Sequence, residues 1–195
     1  MAWPPGHGTV CQARRGTRVL ATMDNKAIYL PTEPLSAGAF SAFGQVIEAG
    51  GEGQRYLINE GYATRYHDLA RVDVGAGGGR VGLSIFRAQP RTFPMQLRIM
   101  ERHPLGSQAF IAMSELPFLV VVAPASETLQ VDQIRCFLAG KGQGVNYAPG
   151  TWHHPLIALN RASDFLVVDR CDGSGNNLDE VHLSGQNVAA VWLRA

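Results

Sequence analysis

Short apolar or alternating segments recur along most of this chain, and their spacing constrains the fold more than any other feature. They lie at 45–48, 56–58, 64–69, 81–87, 96–101, 109–113, 118–123, 134–138, 144–147, 154–159 and 165–169. Segments of this length, separated by Gly and Pro as at 75–79 and Pro90, are typical of β-strands. The pattern predicts a mainly β protein that forms a sandwich or barrel.

Few helices are expected beside these strands. Ser36 is placed to cap a helix that runs to about Phe43, and residues 127–132 are expected to form one helical turn. A short strand is expected at 28–30 and a final short element around 188–193. The fold class is therefore mainly β with a few short helices.

The chain is long enough for one domain, which we assign to residues 23–195. It has 195 residues, 46% of them hydrophobic, as in an ordinary globular protein. Residues 1–22 contain three arginines and no acidic residue. They lack the apolar stretch of roughly 7 to 15 residues that a secretory signal needs. We predict that residues 1–22 are a disordered extension.

Charge and cysteine content limit the partners of the protein. Seventeen Lys and Arg against sixteen Asp and Glu leave a net charge of +1, which gives no basic surface for nucleic acid. No apolar run approaches the roughly 20 residues of a membrane span. Three scattered cysteines indicate a reducing compartment. We expect a cytoplasmic protein with a small-molecule partner.

Two polar segments, 101–108 and 146–155, stand out from the apolar background. Glu101 and His103 are two residues apart, so on a strand both can project into the interior of a barrel. His153 and His154 are adjacent, so one of them can enter and the other faces away. These residues are the candidates for catalysis.

The same spacings resemble the two signatures of cupin barrels, in which a metal is held by His-x-His-x3-4-Glu and by the His of Pro-x-Gly-x-x-His. Glu101, His103 and Gln108 fall on the first signature, and the stretch 148–153 falls on the second. The second signature selects His153 as the interior residue; a register shifted by one would select His154 instead. Glu101 replaces the first His, and neutral Gln108 replaces the carboxylate.

Longer motifs resemble the ureidoglycolate lyase family. They are Arg65-Tyr66-His67-Asp68-Leu69-Ala70, Arg87-Ala88-Gln89-Pro90, the stretch 101–110, and 145–147 with 152–156, which occur in the same order between about residue 28 and about residue 170. The resemblance implies a cupin-like double-stranded β-helix enzyme, acting as a homodimer in purine breakdown through allantoin. Such an enzyme splits (S)-ureidoglycolate, an anion, into glyoxylate and urea.

Cleavage of this substrate needs a base, an acid and a cation for the carboxylate. We predict His103 or His153 as the base, with Glu101 or the other histidine as the acid. The substrate-binding candidates are Arg65, Arg87, Gln108, Tyr147 and His67. The arginines are included because a guanidinium pairs bidentately with a carboxylate.

A metal is the remaining question about the site. Glu101, His103 and His153 would offer two imidazoles and one carboxylate, which divalent nickel, manganese or zinc accept. Gln108 would be a weaker ligand because its amide oxygen is uncharged. The sequence leaves metal dependence open and predicts no organic cofactor.

Three other functions stay open on the sequence alone. A metal-dependent cupin of another kind, such as a sugar isomerase or a dioxygenase, is disfavoured by the residues at 101 and 108. A cupin that only binds a ligand is disfavoured by the charged groups expected inside the barrel. An ammonia-releasing activity on ureidoglycolate is the third alternative.

Overall fold

The computed structural model describes residues 27–51, 53–183 and 191–193. The strands are β1 (Ile28–Leu30), β2 (Thr32–Pro34), β3 (Gly44–Ile47), β4 (Arg55–Ile58), β5 (Ala63–Tyr66), β6 (Arg80–Ala88), β7 (Met95–Gln96), β8 (Ile99–Arg102), β9 (Gln108–Ala112), β10 (Phe118–Ala123), β11 (Arg135–Ala139), β12 (Gly144–Tyr147), β13 (Trp152–His153), β14 (Ile157–Ala158), β15 (Ser163–Cys171), β16 (Asp179–His182) and β17 (Val191–Leu193). An α-helix, α1, spans Ala37–Phe40, and 3-10 turns lie at Asn59–Gly61, Ala76–Gly78 and Val131–Gln133. The extension predicted at 1–22 lies outside the described residues.

Two sheets pack face to face as a sandwich. The larger has the strand order β16-β8-β13-β10-β11-β2, with β14 also paired to β10, and the second has the order β3-β12-β9-β15-β6. A small sheet of β1, β17 and β7 and a hairpin of β4 and β5 accompany them. This architecture confirms the mainly β prediction and is consistent with a cupin.

Strand β10 lies inside the larger sheet, between β13 and β11, and is buried on both faces. Phe118, Val120 and Val122 belong to the cluster between the two sheets, where the Phe118 and Phe165 rings lie 5.0 Å apart. The alternate residues of β10 belong to a second cluster on the other side of the larger sheet. Both faces can be buried because every residue of this strand is apolar, and each large side chain contributes about 1.5–3 kcal/mol.

Helix α1 is shorter than the sequence predicts. Its cap is the predicted one, since the Ala39 amide donates to Ser36 Oγ at 3.3 Å, but it ends at Phe40 and not near Phe43. The chain must turn into β3, which begins at Gly44 with a φ of +144°. Among the described residues, no helix is both long enough and apolar enough to cross a membrane.

Of the strand predicted at 154–159, only β14 is observed as a strand, and a separate two-residue strand, β13, precedes Pro155. Pro155 lies between the two pieces and has no amide hydrogen, so it cannot donate to the ladder with β10. His153 pairs with Val122 of β10, and Ile157 pairs with Leu119 further along it. The division leaves His153 on a two-residue strand between β10 and β8, where the candidate site is built.

Candidate active site

The candidate site begins with a cross-strand pair, Glu101 on β8 and His153 on β13. Directly opposed residues of an antiparallel pair project to the same face of the sheet. His153 is also opposite Val122, so this face is the one between the two sheets. Glu101 Oε1 lies 3.4 Å from His153 Nε2, longer than a good hydrogen bond.

His103 completes a cluster of three ionisable groups. It follows the last residue of β8, and its ring centroid lies 5.2 Å from that of His153. One possible ligand atom from each of Glu101, His103 and His153 lies within 4.8 Å of the others. The structure therefore brings together the three residues that the sequence proposes for catalysis or metal binding.

Backbone carbonyls set the tautomer of both imidazoles. His103 Nδ1 is 2.7 Å from the Asn177 carbonyl oxygen, and His153 Nδ1 is 2.9 Å from that of Thr151. A carbonyl oxygen can only accept, so each Nδ1 carries a hydrogen and each neutral ring keeps its lone pair on Nε2. Both Nε2 atoms are buried and have no hydrogen-bond partner among the described residues.

This donor set fits a divalent cation. Two lone pairs and a carboxylate converge, and the histidines donate their other N–H groups to carbonyls, as metal-bound histidines do. A cation, or a proton on one imidazole, relieves the repulsion between Glu101 Oε1 and His153 Nε2. The geometry agrees with the prediction that Glu101, His103 and His153 could form a metal-binding triad.

The pKa of Glu101 lies below its ordinary value. Burial, the largest single cause, raises the pKa of this carboxyl, but the contact with His153 and the electrostatic influence of His153, His103 and His154 together outweigh burial. Glu101 is therefore ionised at neutral pH. An ionised carboxylate can stabilise an imidazolium or bind a metal.

Tyr147 and His154 are both neighbours of His153. The Tyr147 ring stacks on His153 with centroids 4.5 Å apart. Burial, and then the charge of Glu101, raise the pKa of the Tyr147 hydroxyl, so it stays protonated. His154 is the next residue on the chain, and its Nδ1 contacts the Pro155 carbonyl oxygen at 2.7 Å. The pKa of His154 is lowered, mainly by burial.

Two cavities lie beside the cluster. The larger, of about 420 Å³, is lined by Glu101 and Gln108 and by the segment from Phe86 to Arg91. The smaller, of about 250 Å³, is lined by His103, Gln108 and Asp169 among others. Gln108 lines both cavities, and it lies opposite Tyr147 in the ladder between β9 and β12. Small ligands can therefore approach the cluster from two sides.

Two arginines line the larger cavity, and they differ in whether a described carboxylate pairs with them. Arg87 forms a bidentate pair with Asp164, with contacts of 2.7 Å and 2.8 Å. Arg91 lines the same cavity, and no described carboxylate forms an ion pair with it. Sequence reasoning selected Arg87 and missed Arg91, although Arg91 directly follows the motif that ends at Pro90.

Arg65 and His67 lie on or directly after strand β5, which pairs with β4 in the hairpin. Arg65 belongs to strand β5 of the hairpin, and His67 follows that strand, where its ring packs on Tyr56 with centroids 5.8 Å apart. Neither residue is among the described residues that line the two cavities. Their role in substrate binding stays a prediction.

Comparison with known proteins assigns the family. The family model described as ureidoglycolate lyase matches residues 27–189. The chain belongs to the ureidoglycolate lyase family. A protein of Burkholderia mallei (strain NCTC 10229) named ureidoglycolate lyase is 53% identical over 164 residues, which cover 84% of this chain and 92% of that protein.

Two further relatives carry the same name. The ureidoglycolate lyase of Azotobacter vinelandii (strain DJ / ATCC BAA-1303) is 48% identical over 158 residues, or 81% of this chain and 93% of the relative. That of Pseudomonas aeruginosa (strain LESB58) is 48% identical over 151 residues, or 77% of this chain and 88% of the relative. The span matched to the ureidoglycolate lyase family includes the whole candidate site.

Proposed function

We propose that this protein is a lyase that splits (S)-ureidoglycolate into glyoxylate and urea in allantoin breakdown. Family membership supports the reaction, and one observation carries the mechanism. This observation is the cluster of Glu101, His103 and His153 beside two cavities, in which both Nε2 atoms have no hydrogen-bond partner among the described residues. It offers proton acceptors and a fixed negative charge at one point.

The reaction is an elimination that consumes no water. The reacting carbon of ureidoglycolate bears a hydroxyl, a carboxylate, a hydrogen and the ureido nitrogen. As the hydroxyl loses its proton, its electron pair forms the carbonyl of glyoxylate and the carbon–nitrogen bond breaks. The bonding electrons go to the nitrogen, which takes up a proton to complete urea.

The two imidazoles can carry these protons. Each has its lone pair on Nε2, because its Nδ1 hydrogen is held by a carbonyl. One imidazole accepts the hydroxyl proton, and the same or the other imidazole returns a proton to the leaving nitrogen. Each transfer contributes on the order of 10²- to 10⁴-fold to the rate. Ionised Glu101 stabilises the imidazolium that forms beside it.

The same atoms would hold a divalent metal such as nickel, manganese or zinc. Glu101, His103 and His153 would be its ligands, and when bound it would lower the pKa of a substrate hydroxyl. A nitrogen that binds a metal has no lone pair for a proton. Metal binding and the imidazole proton transfers are therefore alternatives for each histidine.

Arg91 is the best-placed group for the substrate carboxylate. It lines the larger cavity together with Glu101 and forms no ion pair with a described carboxylate. Arg87 is one of the two arginines chosen from the sequence, beside Arg65, but its bidentate pair with Asp164 already occupies it. Binding through Arg91 needs no existing ion pair to break.

We infer a cytoplasmic protein of one catalytic domain over residues 23–195, with residues 1–22 dispensable. The free cysteines Cys136 and Cys171 support a reducing compartment. The net charge of +1 favours a small anion over nucleic acid as partner. The start of the family match at residue 27 supports a dispensable extension.

We infer that the protein is a homodimer. Strand β6 is an edge strand of the sheet β3-β12-β9-β15-β6. It carries a row of exposed apolar side chains, Val81, Leu83 and Ile85, with 50%, 71% and 54% of their surface exposed. Exposed apolar rows of this kind mark interfaces between proteins. A two-fold pairing would bury the same row on both copies.

Glyoxylate and urea release from (S)-ureidoglycolate tests the proposed reaction. Purified protein is assayed with and without prior chelation, against the spontaneous background. Equal release of both products above background is expected, and loss of activity on chelation would assign a metal role. Release at the background rate by folded, metal-supplied protein would overturn the proposal. Ammonia in place of urea would support the ammonia-releasing alternative.

A further inference from the structure

The Gln108 side chain is oriented by Asp169. Gln108 Nε2 donates to Asp169 Oδ2 across 3.3 Å. The Asp169 oxygen accepts this hydrogen bond, so the amide turns its NH2 group toward Asp169. Gln108 Oε1 then faces away from Asp169, and it is buried with no hydrogen-bond partner among the described residues.

This acceptor lies inside the candidate site. Gln108 has 6% of its surface exposed and lines both cavities beside the cluster. It lies opposite Tyr147, whose ring stacks on His153. A buried acceptor without a partner is costly, so a bound ligand that offers an N–H group would satisfy it.

We propose that Gln108 accepts a hydrogen bond from the ureido N–H groups of the substrate and selects for them, with Asp169 as its positioning residue. The proposal rests on the lyase function above. The leaving half of ureidoglycolate carries N–H donors, and the other half carries a carboxylate. A neutral amide accepts from the first without repelling the second. This accounts for an uncharged residue at a position where the cupin signature has a carboxylate.

The proposal distinguishes the two products. Urea is neutral and rich in N–H donors, whereas glyoxylate has none and binds through its carboxylate. If Gln108 Oε1 accepts from the ureido group, loss of this hydrogen bond lowers the affinity for urea. The affinity for glyoxylate is then unchanged. Product inhibition by each compound therefore reports on one half of the site.

The experiment compares Asp169→Leu, which removes the acceptor that holds the amide, with Asp169→Asn, which keeps an acceptor oxygen. Asp169→Leu is expected to weaken urea inhibition about fivefold and Gln108→Leu about tenfold, as expected for loss of one hydrogen bond. Asp169→Asn should restore most of the affinity. In both leucine variants, KM for ureidoglycolate should rise together with the inhibition constant of urea. The inhibition constant of glyoxylate should stay unchanged.

A double variant tests whether Asp169 acts through Gln108. Adding Asp169→Leu to Gln108→Leu should cause no further loss of urea affinity, because the amide that Asp169 holds is already absent. Asp132→Leu, the same substitution at an exposed site outside both cavities, is the matched control and should change nothing. Metal content is measured in each variant and should stay constant.

The outcomes separate this inference from the lyase function. Wild-type protein that releases no glyoxylate and urea overturns both. Active wild-type protein whose urea inhibition is unchanged by Asp169→Leu or Gln108→Leu overturns the inference alone. A fall in metal content with unchanged urea inhibition would also overturn it, because Gln108 would then serve a metal. If Asp169→Leu does not fold, Gln108→Leu alone decides.

Discussion

At the scale of single residues, the site depends on where each hydrogen is held. The carbonyls of Asn177 and Thr151 hold the Nδ1 hydrogens of His103 and His153, so both Nε2 atoms face the cluster without one. Glu101 supplies the negative charge, and its lowered pKa keeps that charge at neutral pH. Small changes at these atoms should alter the chemistry more than the fold.

Glu101→Gln keeps the shape of the side chain and removes its charge. We expect kcat to fall roughly 10²- to 10⁴-fold, because the imidazolium loses its neighbouring carboxylate or the metal loses a ligand. Steady-state release of glyoxylate measures the loss, and circular dichroism checks the fold. Glu115→Gln, whose ion pair with Lys141 is exposed, is the control. Wild-type kcat in Glu101→Gln would remove Glu101 from the mechanism.

Metal binding can be measured without activity. We expect added zinc or nickel to raise the Tm of chelated wild-type protein, because a ligand that binds only the folded state stabilises it. The His103→Asn variant lacks one ligand and should show a much smaller shift. Calorimetry with and without metal gives the answer. Equal shifts in both proteins would mean that the metal binds elsewhere.

At the scale of elements, the site depends on how closely the strands approach one another. Strand β3 pairs with β12 through Gly44 and Tyr147, and a Cβ on Gly44 would lie 1.9 Å from the Asn146 carbonyl oxygen. The φ of +144° at Gly44 is also unfavourable for any other residue. Strand β12 carries Tyr147 against His153, so this packing supports the site from behind.

Gly44→Ala should therefore destabilise the protein by at least about 2 kcal/mol. The new methyl group would clash with the Asn146 carbonyl oxygen, and alanine would have to adopt an unfavourable φ. Gly38→Ala is the matched control, because Gly38 lies in α1 with open space around it. That change should be neutral or stabilise by up to about 1 kcal/mol. Urea denaturation of both variants measures the difference. Equal stability would contradict the close approach of β3 and β12.

At the scale of the whole molecule, the sheet β3-β12-β9-β15-β6 has one face covered by the rest of the chain and an edge strand that is exposed. Its inner face packs against the larger sheet around Phe110, Val145 and Phe165, all buried. The apolar row of β6 on its edge strand is exposed instead. A second copy of the chain would cover this row, as the homodimer proposal requires.

Leu83→Lys should weaken the dimer without unfolding the subunit, because a charge placed in an apolar interface must lose its hydration. Light scattering after size-exclusion chromatography should give a dimer mass for the wild type and a monomer mass for the variant. Tyr62→Lys, at a position with 91% exposure away from β6, is the control. A monomeric wild type would contradict the dimer, and a dimeric Leu83→Lys would move the interface elsewhere.

The sequence by itself determined the mainly β fold, the strand Phe118–Ala123 and the candidates Glu101, His103 and His153 for catalysis or metal binding. Strand periodicity and motif spacing are local properties, so short stretches of sequence carry them. Tertiary structure alone decided which arginine of the larger cavity pairs with a described carboxylate and how Gln108 is turned. Asp164 lies 77 residues from Arg87, and Asp169 lies 61 residues from Gln108. Contacts at such separations depend on which strands become neighbours and in which register, and no local pattern specifies them.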